Sequence, residues 1–240
     1  MRIFIAIQSW VGGAEAGRHE AQRNTFLKRI YEFPQLEYKF FVGSGSQISV
    51  HESFSSAWAA HKEKQQPDKP FTYELANDEV ALAVPDGYAY TSYKVREMLR
   101  WAVEREFDYV FVCDSDTYIC LPRLLASGFE KRDFVGRRAQ DGQSFAPDGG
   151  PGFFLSKKAA TIVAAEDKIT FWAEDGWVAM VLREHGIGLE HDSRYVHYFS
   201  PYSDNGFPEV GNKIITTHCG GEPPLYKVPD EWYTLFKEID

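Results

Sequence analysis

Asp114-Ser115-Asp116 is the stretch whose residue types point most directly to chemistry. Two carboxylates one residue apart repel each other unless a cation lies between them, and an oxygen-rich pair prefers a hard divalent ion such as Mg²⁺ or Mn²⁺. They follow Tyr109, Val110, Phe111, Val112 and Cys113, an unbroken apolar run rich in β-branched and aromatic residues, as in a strand buried on both faces. Open α/β sheets bind ligands at the carboxyl ends of such strands. The pair is therefore a candidate metal site holding a phosphate-bearing ligand. The plainer alternative is a solvated acidic turn, with Asp116 as a cap for the next element.

Further stretches can complete such a site. Gly149-Gly150-Pro151-Gly152 precedes Phe153 and Phe154, so backbone can approach a ligand closely with rings alongside, although a tight loop feeding a core strand reads the same way. Glu174 and Asp175 lie between Trp172 and Trp177. Acids at a helix start are favoured by the helix dipole, while acids among large aromatics lose water and become better general bases. His218 closes the strand-like run Ile214, Ile215, Thr216, Thr217 and is either a satisfied histidine or a metal ligand. Gln8 opens a glycine-containing loop with Arg18 and Arg23 beyond it, and Lys94 lies near a helix start. Each cation either meets a phosphate or a carboxylate or belongs to a solvated helix face.

The elements that must carry these residues alternate. Apolar runs predict strands at 3–7, 36–42 and 109–113, with short strands at 71–75 and 134–136 and a strand ending at His218. Helical spacing runs through 16–33, and through 91–106 with Val95, Met98, Leu99, Ala102 and Val103 on one face and Thr91 or Ser92 as cap. Leu121-Pro122 opens a short helix, and helices follow the GGPGFFLS and Glu174-Asp175 segments. Glycines and serines at 43–46 close the second strand, and the polar segment 61–70 reads as an exposed loop. The alternation predicts a mainly parallel sheet covered on both faces.

Composition bounds the reading. The 240 residues fit one domain, and 44% hydrophobic and 15% aromatic residues can build a large core. A formal net charge of −9 argues against general nucleic-acid or anionic-membrane binding, so an anionic ligand must be met by a local positive site. Three cysteines, Cys113, Cys120 and Cys219, are too few for a disulfide framework or structural zinc and point to a reducing compartment. The chain opens MRIFIAIQSW, with no apolar stretch approaching a signal region or a membrane span, and a cytoplasmic location is the expectation.

The order of these features resembles the β-1,3-glycosyltransferases of the Fringe and core-1 galactosyltransferase type. Arg23-Asn24-Thr25-Phe26 is similar to that family's Arg-x-Thr-Trp, Tyr93-Lys94 to its Lys-Thr segment, and the run into Asp114-Ser115-Asp116-Thr117-Tyr118 to its Val-Asp-Asp-Asp-x-(Phe/Tyr)-Val. GGPGFFLS resembles Gly-Gly-x-Gly-Tyr-x-Leu-Ser, Glu174-Asp175 resembles Glu-Asp-Val, and Asp192-Ser193-Arg194 with a later His comes next in the same order. The resemblance spans the chain except roughly residues 43–85. Ser115 replaces the middle acid of the triplet, Gly176 the valine and Val95 the threonine.

The resemblance implies a single α/β domain of the GT-A fold over 1–240, with a mostly parallel central sheet flanked by helices. It implies a nucleotide-sugar donor, UDP-linked, a glycan acceptor and Mn²⁺ or Mg²⁺ as cofactor. Asp116 would ligate the metal, with His218 as a second protein ligand and Asp114 supporting the metal or the ribose; Asp175 would be the general base, with Glu174 as substitute. Gln8, Arg18, Arg23, Lys94 and Ser115 are the donor-side candidates, and Gly149, Gly150, Gly152, Phe153, Trp172 and Trp177 the sugar-side ones. Animal members carry a membrane anchor and disulfides, so a bacterial or viral relative is expected. Two rival readings are a phosphohydrolase of the haloacid dehalogenase type, with the first Asp as nucleophile, and a non-catalytic sugar- or nucleotide-binding module.

Overall fold

The apolar run at the amino terminus folds as β1 (Ile3–Gln8), all six residues buried, and the run into the acids as β4 (Tyr109–Asp114). The computed structural model describes residues 1–11, 13–44, 73–87, 90–139, 145–197 and 214–219. The remaining strands are β2 (Leu36–Gly43), β3 (Glu79–Leu82), β5 (Thr117–Ile119), β6 (Phe134–Gly136), β7 (Phe153–Ser156), β8 (Glu190–His191), β9 (Tyr195–His197) and β10 (Thr216–His218). Seven of them form one sheet in the order β3-β2-β1-β4-β7-β6-β8, and β5-β10-β9 form a second. Within the large sheet β7 alone runs against the other strands. The expected α/β architecture, a mostly parallel sheet flanked by helices, is therefore present.

Side-chain alternation divides the core into two layers. Phe4, Ala6, Val110 and Val112 face one side, packed by α2 (Thr91–Glu104), α4 (Lys157–Ala165) and α5 (Glu174–Glu184) through Val95, Met98, Leu99, Val163, Trp177 and Leu182. Ile3, Ile5, Ile7, Phe111 and Cys113 face the other, against Phe26, Leu27, Leu124, Phe129 and the small sheet. Leu124 belongs to α3 (Leu121–Leu125), whose second residue is the expected proline. Ser156 caps α4, its Oγ accepting from Ala159 N–H at 3.2 Å. Among the described residues no helix is long and apolar enough to cross a membrane.

Several local expectations change. The helix expected over 16–33 is broken: α1 (Gly13–Asn24) stops at Thr25, whose backbone leaves the helical region (φ −109°, ψ −113°) while its Oγ1 donates to Ala21 O at 2.7 Å, and a 3₁₀ segment (Phe26–Glu32) follows. The strand expected at 71–75 is not there for 73–75, while 71 and 72 lie outside the described residues; pairing instead forms at β3, an edge strand too short to show periodicity. Neither Thr91 nor Ser92 caps α2. Their hydroxyls donate to Trp172 O (2.7 and 2.8 Å), which ties α2 to the segment before α5. Residues 45–46, the loop 61–70 and 220–221 also fall outside the described residues.

Gly152, immediately before β7, has φ +89°, and an added Cβ there would collide with the Phe111 ring and lie 2.7 Å from Val112 O. Strained backbone and a rigid core contact then act together. Gly152→Ala is expected to lower the unfolding free energy by about 2–4 kcal/mol, read as a lower urea midpoint at unchanged slope.

Candidate metal and acid site

Asp114 is the last residue of β4, at the carboxyl edge of the sheet, and after the turn at Ser115-Asp116 the chain leaves that sheet as β5. β5 pairs antiparallel with β10, with His218 opposite Thr117 and Cys219 N–H donating to Asp116 O at 2.8 Å. That register brings His218 Nε2 to 2.9 Å from Asp116 Oδ1 and 3.7 Å from Asp114 Oδ2. One ligand atom from each of the three lies within 4.8 Å of the others, so two carboxylates and an imidazole converge on a volume the size of a coordination sphere. The donor set fits a divalent ion of the Mg²⁺ or Mn²⁺ kind, with coordination positions left for a ligand. Arg18 on α1 places Nη2 3.4 Å from Asp116 Oδ2, and Gln22, one turn on, donates through Nε2 to Thr117 O (2.8 Å) and Asp114 O (3.3 Å). The acid turn is thus held from α1 as well as from β10.

The charges of the three groups are interdependent. Burial, and then Asp116 beside it, pushes Asp114 up to about 7. Burial also acts to raise Asp116, but the hydrogen bond and charge of His218, with Arg18, bring it below the usual carboxylate range. His218 rises above its ordinary value because the Asp116 hydrogen bond and the two carboxylates outweigh its burial. The His218 ring thus meets Asp116 through a hydrogen bond and lies within reach of Asp114.

The second acid pair begins α5. Burial, followed by Asp175 and Asp114, pushes Glu174 up to about 8. Asp175 is also raised by burial, against hydrogen bonds from the backbone N–H groups of Gly176 (2.5 Å) and Gly149. Between the two acidic groups runs the glycine segment. A Cβ on Gly149 would lie 2.9 Å from Glu174 Oε1 and 3.2 Å from Asp175 Oδ2, and one on Gly150 2.6 Å from His218 Cγ. Thr117 Oγ1 donates to Gly150 O (2.6 Å) and Thr216 Oγ1 to Pro151 O (2.7 Å), anchoring the segment to β5 and β10. The structure therefore brings Asp114, Asp116, His218, Arg18, Gly149, Gly150, Glu174 and Asp175 together.

Other candidates sit differently. Gln8 ends β1 in register with Asp114 and is buried, its Oε1 lacking a hydrogen-bond partner among the described residues. Ser115 lines a narrow pocket with Arg18, Gln22 and Asp116. Trp172 is half-buried beside the exposed Phe171. Four candidates are engaged by the protein's own core or charge pairs. Lys94 is fully buried, its Nζ donating to Ser9 O (2.6 Å) and Asp86 Oδ1 (2.5 Å), while Asp86 accepts from Val11 N–H and Gly43 N–H, so the lysine clamps strand ends. Arg23 is bound to Asp78 (2.7 Å) and Glu79 (2.9 Å), on the side of α1 away from Asp116. Trp177 and Phe153, 0% and 1% exposed, belong to the core and offer no ring face to a sugar. Gln22, which holds the acid turn, was passed over by sequence reasoning; the Arg18–Gln22 spacing of one helical turn was the available signal for it.

No protein-family model matches the chain, and no curated protein matches it. Among solved structures, a mannosyltransferase from Pyrobaculum calidifontis in complex with GDP-Man and Mn²⁺ superposes at a TM-score of 0.50 with 13% identity, over 80% of this chain and 54% of that one. This chain thus spans about half of that protein's length. A glycosyltransferase involved in glycosylation of the major capsid of PBCV-1 gives 0.47 at 11% identity over 98% and 100% of the two chains. The galactosyltransferase LgtC, solved with donor and acceptor sugar analogs, gives 0.43 at 14% identity over 100% and 95%. At 13% identity the likeness to the mannosyltransferase is one of fold.

The Arg23 network makes stability depend on acid. Burial acts to raise both Asp78 and Glu79, but hydrogen bonds from Arg23 and Tyr38 to the first, and from Ala76 N–H, Arg23, His19 and Tyr73 to the second, bring them below their ordinary 3.8 and 4.5. A depressed folded pKa gives stability that is complete above the unfolded value and lost as pH falls through the folded one. The network's contribution should hold down to about pH 5 and disappear progressively below it. Urea unfolding of wild type and Arg23→Ala from pH 7 to 3 checks this, with the two converging at the acid end. Gly150→Ala should displace the His218 ring, seen as a shift of its imidazole resonances and a melting temperature lower by about 4–8 °C.

Proposed function

We propose that the protein is a metal-dependent inverting glycosyltransferase of the Fringe and core-1 galactosyltransferase type, a single GT-A domain that moves a hexose or N-acetylhexosamine from a UDP-linked donor to a hydroxyl of a glycan acceptor. The observation that carries this reading is the convergence of Asp114, Asp116 and His218 on one point, facing Glu174 and Asp175 across two glycines that leave room for nothing larger. The resemblance of the motifs supports the donor class, and the fold is one that the Pyrobaculum mannosyltransferase, solved with GDP-Man and Mn²⁺, also has.

Asp116, Asp114 and His218 would hold Mn²⁺ or Mg²⁺, which when bound acts as a Lewis acid toward the leaving diphosphate. Arg18, beside Asp116, adds a fixed positive charge where negative charge builds as the bond between anomeric carbon and phosphate oxygen breaks. The acceptor hydroxyl oxygen forms the new bond to that carbon from the opposite face, and its proton passes to Asp175. Partial burial raises the basicity of that carboxylate, and the N–H groups of Gly176 and Gly149 fix its direction. Glu174 is the substitute base. A single displacement of this kind inverts the anomeric centre. Gln8 and Ser115 lie on the donor side, and Trp172 offers a partly open ring to a sugar.

The deciding measurement is nucleoside-diphosphate release from a panel of nucleotide sugars with Mn²⁺ and with chelator. Release from one donor, abolished by chelator and reduced about 10³-fold in Asp116→Ala, is the expected result. Asp175→Asn should lower transfer by about 10²–10⁴-fold at an unchanged melting temperature. Phosphate release from simple esters would replace this reading with the phosphohydrolase, and metal-dependent nucleotide binding without turnover would replace it with a binding module.

A further inference from the structure

Three deeply buried polar residues outside the acid site are connected in line. His19 Nε2 lies 2.5 Å from Ser9 Oγ and its Nδ1 2.9 Å from Glu79 Oε1, with the three residues 0%, 1% and 7% exposed in chain order. Glu79 is itself held by Arg23 Nη2 (2.9 Å), Tyr73 Oη (3.1 Å) and Ala76 N–H (3.1 Å), and the His19 ring stacks on Phe40 with centroids 4.1 Å apart. Hydroxyl, imidazole and carboxylate have the connectivity of a nucleophilic triad. Ser9, however, has no exposed surface, and its N–H and carbonyl are occupied by Phe41 O and Lys94 Nζ, so no substrate carbonyl can reach its Oγ.

The connectivity serves a different purpose. Over the described side chains of α1, residues 17–24, Ala21 is the one apolar side chain, so apolar burial there does little to set the rotation of the helix about its own axis. Polar anchors must do so: His19 and Arg23, one turn apart, both reach Glu79, and Gln22 reaches the acid turn. Arg18, next in the chain to His19, then points at Asp116.

We propose that Glu79, His19 and Ser9 form a positioning relay that fixes α1 against the end of β1 and thereby aims the Arg18 guanidinium at Asp116. His19 is a positioning residue, acting through Arg18, and the effect on turnover rests on the function proposed above. A double-mutant cycle tests it. Ser9→Ala, which removes one oxygen and little volume, and His19→Gln should each lower kcat for nucleoside-diphosphate release about tenfold with donor KM within about twofold, and should change kcat by less than about twofold in an Arg18→Ala background. A merely structural loss would instead add to that of Arg18→Ala, and additivity overturns the relay. The second readout needs no turnover: the Arg18 Nε–H resonance, identified by its loss in Arg18→Lys, should be dispersed in wild type and collapse toward the solvent-exposed position in Ser9→Ala and His19→Gln. A wild-type-like signal in both variants overturns the relay even if no donor is found, whereas an inert wild type whose signal collapses as expected defeats the glycosyltransferase reading alone. Covalent labelling of Ser9 by a fluorophosphonate would make it a nucleophile and also overturn the proposal.

Discussion

Like charge in a partly desolvated corner is the constraint on which the rest of the site depends. Burial raises the proton affinity of Asp114, Glu174 and Asp175, neighbouring carboxylates add to it at Asp114 and Glu174, and among the described residues Arg18 and His218 lie against Asp116. Carboxylates in that position drift apart or take up protons unless the backbone holds them. The protein holds them by three devices: the β5–β10 register, the glycine segment anchored by Thr117 and Thr216, and the start of α5 tied to α2 through Thr91 and Ser92. The repulsion is thereby retained as attraction for a cation.

The opposite half of the carboxyl edge is organised by charge pairs. Lys94 and Asp86 draw together the ends of β1 and β2 and the start of α2, and Asp86 spends its remaining acceptor capacity on two backbone N–H groups. Desolvating such a pair costs several kcal/mol, and its excellent hydrogen bonding offsets this without making it a large source of stability. What it supplies is uniqueness. Gly43 fits because an added Cβ would lie 2.7 Å from the Asp86 backbone, so the two strand-end loops meet in one arrangement. The sheet edge is therefore rigid on one side by paired charges and on the other by close backbone approach.

Legibility in the sequence tracked how local each signal was. β1, β2, β4 and α2 are long and periodic, and structure and pattern agree on them to within a residue or two. Asp114 could be picked out because it ends β4, Asp116 because it follows in the turn, Glu174 because it begins α5 and His218 because it ends a strand-like run. β3 has four residues at an edge and no pattern to read, and the break at Thr25 depends on one hydroxyl choosing a carbonyl. The partners of Lys94 and Arg23 are decided by tertiary contacts with Asp86, Asp78 and Glu79, which a cation's position in the chain does not reveal. Trp177 and Phe153 were misjudged for a related reason: an aromatic beside acids reads alike whether its ring turns to the pocket or to the core, and here both turn inward. His19 carried no signal, since one histidine on a polar helix has no periodicity to betray its burial.

The small sheet gives the site a history in time. β10 lies about a hundred positions after β5 along the chain, yet it supplies the imidazole that compensates Asp116. During synthesis at roughly 5–20 residues per second, the acids leave the ribosome several seconds before that imidazole exists. Through that interval β5 has no β10 to pair with, and the acid turn carries its charge with Arg18 as the cation already made. Closing so long a loop is a late, entropically costly event, and a cation that bridges its two ends would act as a fastener completed only when the loop shuts.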